Sequence, residues 1–311
     1  MGRDVAAISA RAHGVFQQAG EVLGFDIARV CFEGPADQLE RTDLQQPAIF
    51  VTSLAIWEAL REARGAEVAF SWAGGLSLGE YTALCVAGAV SFESALRLVY
   101  RRGCLMQEAA QAAPSGMVSL MGGEEAGVQA LCEQAREEEV LAPANFNCPG
   151  QVVISGSKAA CERAVALASE FGFRATQLSV AGAFHSALME PAARRLREEL
   201  ERTEFVPPRV RVIANVSAEY HGSGPAIRES LFNQLTRPVL WRKCVERMIA
   251  DGADEFLEVG PGRILTGLIR KTDRKAKVTN LSSADSLAGF SGTPAKPEVD
   301  NPRAMASLPK S

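Results

Sequence analysis

Only three histidines occur in the 311 residues, and the seven cysteines form no Cys-x-x-Cys pair. Structural metal sites draw on these residue types at short spacing, so no metal centre is expected, and free thiols in a reducing compartment fit the cysteine usage. No apolar run reaches the roughly 18 residues that a membrane helix needs, and residues 1–20 lack a secretory leader pattern. No membrane association is expected. Basic residues do not dominate either: 33 Lys and Arg against 37 Asp and Glu give a formal charge of −4, too little positive field to hold nucleic acid. No internal repeat is visible. What is present is core-forming material, with 47% of residues apolar, enough to bury a full core in one large domain.

Residues 47–63 repeat apolar positions at helical spacing, and 67–73 (EVAFSWA) form a short apolar run ending in Gly74-Gly75. Helices are again expected at 79–89 and at 92–111, the latter with Ser91 as N-cap. This order predicts a βα unit of a parallel sheet. From 115 to 180 the pattern becomes strand (116–121), helix (124–138), two strands (140–146 and 151–155), helix (158–171) and strand (174–180), a β-α-β-β-α-β unit. A helix from 187, a strand at 209–214, a helix at 238–250 and a strand at 255–259 then follow. The expected fold is α/β: an α/β-hydrolase-like parallel-sheet core formed by 1–113 and 182–285, with an inserted ferredoxin-like subdomain at 114–181. Residues 286–311, rich in Ser, Pro, Gly and Ala, are expected to form a disordered tail.

Gly75-Leu76-Ser77-Leu78-Gly79 lies between the expected strand and the expected helix, the setting of a nucleophile elbow. A sharp strand-to-helix turn exposes the serine, small neighbours avoid Cβ clashes, and the helix N-terminus lets the Leu78 amide donate to a developing oxyanion. An ordinary glycine-rich turn is the alternative. Ser77 needs a base, and the choice falls among His13, His185 and His221. His13 in a polar helical stretch and His221 in a turn read as solvated surface residues. His185 lies where the inserted unit rejoins the main domain, a favoured place for a cleft, though a structural histidine is the alternative. Ser before His, about a hundred residues apart, suits a two-residue pair without an evident carboxylate. Arg102, on the second helix after the elbow, is either a helix-surface arginine or a bidentate anchor for a substrate carboxylate.

Together these segments resemble the malonyl-CoA:acyl carrier protein transacylase family, and more particularly its plastid-type members. The matching stretches are Gln45-Gln46-Pro47-Ala48, 75–92 (GLSLGEYTALCVAGAVSF), 102–107 (RGCLMQ), 145–156 (NFNCPGQVVISG), 180–192 (VAGAFHSALMEPA) and 258–271 (EVGPGRILTGLIRK). The resemblance implies ping-pong transfer: Ser77 attacks malonyl-CoA, carries a malonyl ester, and passes it to the phosphopantetheine thiol of acyl carrier protein, with His185 moving the proton. It implies no metal or redox cofactor, a main-chain carbonyl that orients His185, placed here in the segment leading into Glu258-Val259-Gly260, and a role for Arg102 in holding the malonyl carboxylate. Gln46 and Phe184 match pocket positions of the family, and Asn145 and Asn147 could reach the acyl or pantetheine part, with turn-forming asparagines as the alternative. Many members carry histidine where Leu76 stands; plastid-like members carry leucine.

The resemblance implies a plastid stroma, with the cytoplasm as alternative, and a monomer that meets malonyl-CoA and acyl carrier protein. Arg263, Arg270, Lys271, Arg274 and Lys275 are candidates for docking an acidic carrier. Family members open with a strand and a Gly-Gln-Gly-Ser loop whose glutamine amide is the second oxyanion donor, whereas Met1-Gly2-Arg3-Asp4 resembles the segment after that loop. That strand and loop are therefore expected to be missing, at about 3 to 4 kcal/mol of transition-state stabilisation for one donor. Two other readings stay open: a serine acyl hydrolase or polyketide-type acyltransferase, and an inactive module that only binds carrier protein.

Overall fold

The computed structural model describes residues 1–65 and 68–290. The chain opens with helices α1 (Arg3–Ile8), α2 (Ala10–Leu23), α3 (Ile27–Glu33), α4 (Ala36–Glu40) and α5 (Thr42–Arg64). Ser9 separates the first two, and its hydroxyl accepts from the Ala12 amide as an N-cap. Gly24, at φ 75°, closes α2 in the left-handed conformation that glycine adopts without a Cβ penalty. α5 starts ahead of the 47–63 reading and is buried along most of its length.

Strand β1 is confined to Trp72–Ala73 and is followed by α6 (Leu78–Val86) and α7 (Phe92–Ala112). The 67–73 run predicts a longer, buried strand. Glu67 lies outside the described residues; of the rest Val68 is buried, Ser71 is exposed and the others are half-buried, and pairing is confined to Trp72 and Ala73, whose partner segment, Arg211–Val212, is equally short. α7 packs along α5, and the approach is close where Gly103 meets it: a Cβ there would stand 2.8 Å from the Thr42 carbonyl oxygen. Phe50, Ile56, Leu60, Leu84, Leu96 and Leu105 fill the core between these helices.

The chain then runs through β2 (Ser115–Gly122), α8 (Glu125–Arg136), β3 (Leu141–Cys148), β4 (Gln151–Ser157), α9 (Lys158–Leu167), a short 3-10 turn and β5 (Phe173–Gln177). The sheet order is β3-β4-β2-β5, antiparallel throughout, which is the ferredoxin-like arrangement. One face carries α8 and α9 over Val118, Leu120 and Ile154, against which Leu131 of α8 packs.

The remainder is α10 (Glu190–Arg202), β6 (Arg211–Val212), α11 (Gly224–Gln234), α12 (Trp241–Ala250), β7 (Glu255–Val259), α13 (Ile264–Thr272), β8 (Lys277–Leu281) and α14 (Ala284–Ala288). β6 pairs in parallel with β1, and β7 in parallel with β8, so the parallel part of this α/β fold consists of two separate strand pairs among the described residues. The Asn145–Val239 bridge ties β3 of the antiparallel sheet to the segment after α11. Residues 286–290, expected in a disordered tail, are instead ordered. Ser283 and Ser286 form a reciprocal capping box for α14, Leu287 is buried, and Arg64 donates to the Phe290 carbonyl. Residues 291–311 lie outside the described residues.

Candidate active site

The turn between β1 and α6 depends on Gly75, where a Cβ would lie 2.2 Å from the Gly79 carbonyl carbon. The second glycine of the motif is sterically free, since nothing stands within 4 Å of a Cβ at Gly79. Closing this turn places Ser77 at φ 51°, ψ −100°, a backbone region L residues rarely adopt and one that costs about 1 to 3 kcal/mol. Asn215, just beyond β6, holds it there. The Ser77 amide donates to Asn215 Oδ1 at 2.6 Å, and Asn215 Nδ2 donates to the Gly75 carbonyl at 2.9 Å. Leu78 is the first residue of α6, so its N–H belongs to the helix end that has no intrahelical acceptor.

His185 also has positive φ, 58°. Gly182 packs directly on α7, where a Cβ would meet that of Ala110 at 2.4 Å, and Ser186 Oγ donates back to the Ala183 carbonyl at 2.7 Å. The resulting tight loop aims the imidazole at the elbow: His185 Nε2 is 2.9 Å from Ser77 Oγ and Nδ1 is 2.7 Å from the Gln234 carbonyl oxygen. A carbonyl can only accept, so Nδ1 carries the proton and Nε2 is left to accept from the serine hydroxyl. Burial, with the nearby Arg102 charge adding to it, pushes the imidazolium down to about 4, against the opposing pull of the Gln234 carbonyl. The ring is therefore neutral at pH 7 and ready to take a proton.

The orienting carbonyl corrects the sequence reading, which places it near 258–260. Gln234 ends α11, and the last carbonyls of a helix have no intrahelical donor, so one is free for the imidazole. Glu258 serves another purpose: it accepts from the Leu265 and Thr266 amides at the start of α13. His221 is a second correction. The turn EYHGSG reads as solvated, yet the His221 side chain is 2% exposed and Nε2 lies 2.8 Å from Glu80 Oε1. His13 is exposed, as expected.

Arg102 is 1% exposed rather than on the helix surface. Its guanidinium donates to Gln46 Oε1 (2.5 Å), Ser77 Oγ (2.8 Å) and Gln234 Oε1 (3.0 Å), and its Cζ sits 5.3 Å from the Tyr81 ring centroid. Every one of these acceptors is a neutral oxygen, and Nε is buried without a partner. Burial lowers its pKa from the usual arginine value, offset in part by Tyr81 and Glu80. The predicted Ser77, His185, Arg102 and Gln46 thus form one hydrogen-bonded cluster. Phe184 adjoins His185 and packs half-buried beside Met117, Ala144 and Val153. Asn145 and Asn147 lie on β3, buried, with Asn147 Oδ1 lacking a partner; neither side chain is hydrogen-bonded to the cluster. Arg263, Arg270, Lys271, Arg274 and Lys275 are exposed.

Residues 1–291 match the family profile described as the acyl transferase domain. The chain belongs to this acyltransferase family. A malonyl CoA-acyl carrier protein transacylase of Escherichia coli (strain K12) is 40% identical over 286 residues, 92% of each chain. Among solved structures, an acyl carrier protein S-malonyltransferase from Vibrio cholerae superposes with TM-score 0.88 at 39% identity, covering 93% of this chain and 94% of that one. A malonyl-transacylase in complex with a type II PKS acyl-carrier protein gives TM-score 0.89 at 38% identity, covering 93% of each. These are acyltransferases, and the α/β fold with its antiparallel unit is theirs. No helix of this acyltransferase, among the described residues, is long and apolar enough to cross a membrane. Three site residues escape the sequence reading: Gln234, Asn215 and Glu80. For Asn215 a signal existed, because it follows a strand of a parallel pair and ligand sites gather at the carboxyl ends of such strands.

Proposed function

We propose that this acyltransferase moves malonyl groups from malonyl-CoA to the phosphopantetheine thiol of acyl carrier protein through an ester on Ser77. One observation carries the reading: a guanidinium that is 1% exposed and has only neutral acceptors touches the nucleophile. A buried cation with no charged acceptor in contact is costly, and a carboxylate at the far end of the acyl group supplies one. A plain acetyl group does not. The relatives above are malonyl transferases by name, one of them bound to a carrier protein.

In the first half-reaction Ser77 Oγ attacks the thioester carbonyl as its proton passes to His185 Nε2. The oxyanion draws on the Leu78 amide at the N-terminal end of α6. Collapse breaks the carbon–sulfur bond, and His185 returns the proton to the departing CoA sulfur. In the second half-reaction His185 takes the proton of the carrier thiol, whose sulfur attacks the ester, and Ser77 is released with its proton restored. Arg102, with Gln46 behind it, holds the malonyl carboxylate throughout. Phe184 limits bulk next to the acyl chain, and Asn147 is assigned to the pantetheine side. No metal or redox group is needed for any step.

We further assign the core to 1–113 and 182–285 with 114–181 inserted, a monomeric state, and fatty acid synthesis as the pathway served. A plastid stroma, rather than the cytoplasm, rests on the resemblance to plastid-type members only, and the relatives reported are bacterial. The test is transfer of labelled malonate from CoA to carrier protein, with intact-protein mass spectrometry for a malonyl adduct at Ser77. Transfer with the adduct supports the reading. Release of malonate to water without transfer points to a hydrolase, and absence of the adduct to a binding module.

A further inference from the structure

Glu80, one turn past Ser77 on α6, is fully buried at 0% exposure. A buried carboxylate must be matched by donors, and three converge on it. His221 Nε2 reaches Oε1 at 2.8 Å, while Gln234 Nε2 at 2.7 Å and the Asn215 amide at 3.0 Å both reach Oε2. Two of these donors belong to residues that also grip the reacting groups. Asn215 fastens the Ser77 turn through its side chain. Gln234 does more: its main-chain carbonyl takes His185 Nδ1, its Nε2 donates to the Ser77 carbonyl at 3.0 Å, and its Oε1 accepts from Arg102.

A glutamine amide has an acceptor end and a donor end of nearly the same shape, and nothing intrinsic decides which way it faces. Only one way suits Arg102, which donates and never accepts. Glu80 Oε2, which accepts from the Asn215 amide, accepts from the NH2 end of Gln234 as well and so turns the oxygen of that amide toward the guanidinium. We propose that Glu80 is a positioning residue: through the Gln234 amide it fixes Arg102 in the orientation that receives a carboxylate-bearing acyl group. His221 completes the donor set and keeps the carboxylate turned inward. The inference rests on the malonyl-transfer reading above and adds to it a residue that never touches the substrate.

Glu80→Gln preserves size but offers either an oxygen or an NH2 to Gln234, so the NH2 end is left with the Ser77 carbonyl as its one assured acceptor and the amide is held less firmly. Gln234→Leu removes the amide while leaving the main-chain carbonyl that holds His185. Both are made in the full chain on a Ser77→Ala background, which blocks turnover, and titrated calorimetrically with malonyl-CoA and with acetyl-CoA. Each variant is expected to reduce the preference for malonyl over acetyl by about tenfold or more, the scale of one hydrogen bond to a charged group. Acetyl-CoA affinity should stay within about threefold, and the double variant should lose no more than either single one, because both act through one relay. A folded Glu80→Gln protein with undiminished preference overturns the inference. So do parallel losses for both ligands, or effects that multiply in the double variant. If Glu80→Gln does not fold, Gln234→Leu decides alone, by the same criteria. Should the background protein with Glu80 and Gln234 intact bind the two thioesters alike, the malonyl reading itself fails, and the relay with it.

Discussion

Ser77 and His185 are two of only four non-glycine residues with positive φ among the described ones. Strain at both reacting positions means that surrounding contacts, not local preference, set their geometry. The base is depressed to about 4, so the acid limb of kcat/KM should fall near pH 4 and not near the 6.5 of an ordinary imidazole, measurable with malonyl-CoA across pH 3.5–8. The same depression links to stability. Above pH 6.5 the contribution of a neutral buried His185 is complete; as pH falls toward 4 the unfolded chain takes up a proton that the folded one refuses, and the contribution is progressively lost. Denaturant melts should therefore show the midpoint dropping over that window, and His185→Gln should flatten the part of the drop that belongs to this residue. Arg102→Ala should lower kcat/KM for malonyl-CoA by about tenfold to a hundredfold, the range for lost charge-assisted hydrogen bonds, while acetyl transfer is spared. Equal losses for both acyl groups would remove Arg102 from substrate selection.

The elements show how far the sequence could be read. The antiparallel unit was legible strand by strand, because its runs alternate with amphipathic helices and nothing distant is needed to form it. The Ser77 elbow was legible from Gly75 and its flanks. The parallel strands were less so: an apolar run such as 67–73 says nothing about how many partners it will find, and β1 pairs over two residues only. α11 escaped the sequence reading, and with it went the Gln234 carbonyl that orients the base. The polar residues that complete the site, Asn215, Gln234 and Glu80, come from segments far apart in the chain, and no local pattern links them. The two motif glycines, alike in sequence, separate in structure. Gly75→Ala should destabilise by about 1 to 3 kcal/mol or more and abolish transfer, since backbone stands where the Cβ would go. Gly79→Ala, facing open space in a helix, should be neutral or stabilise by up to about 1 kcal/mol. Paired thermal melts of the two variants check this, and a Gly75→Ala protein as stable as its parent would overturn the steric account of the turn.

At the scale of the whole molecule, the exposed cations from Arg263, the N-cap of α13, to Lys275 just beyond it are the candidates for meeting an acidic carrier protein. Arg263→Glu combined with Lys271→Glu should raise KM for the carrier several-fold, by an amount that shrinks as salt is added, while the CoA half-reaction is unaltered. An unchanged carrier KM at low salt would move the docking face elsewhere.

The seven cysteines add a consequence of a different kind. All are unpaired, five are buried, and burial raises the pKa of every one of them, Cys85 and Cys132 to about 12. Thiol–disulfide exchange runs through the thiolate, so this protein presents almost none to its surroundings. Attack by these cysteines on a disulfide of pantetheine, which would release one thiol and leave the protein as a mixed disulfide, is thereby disfavoured.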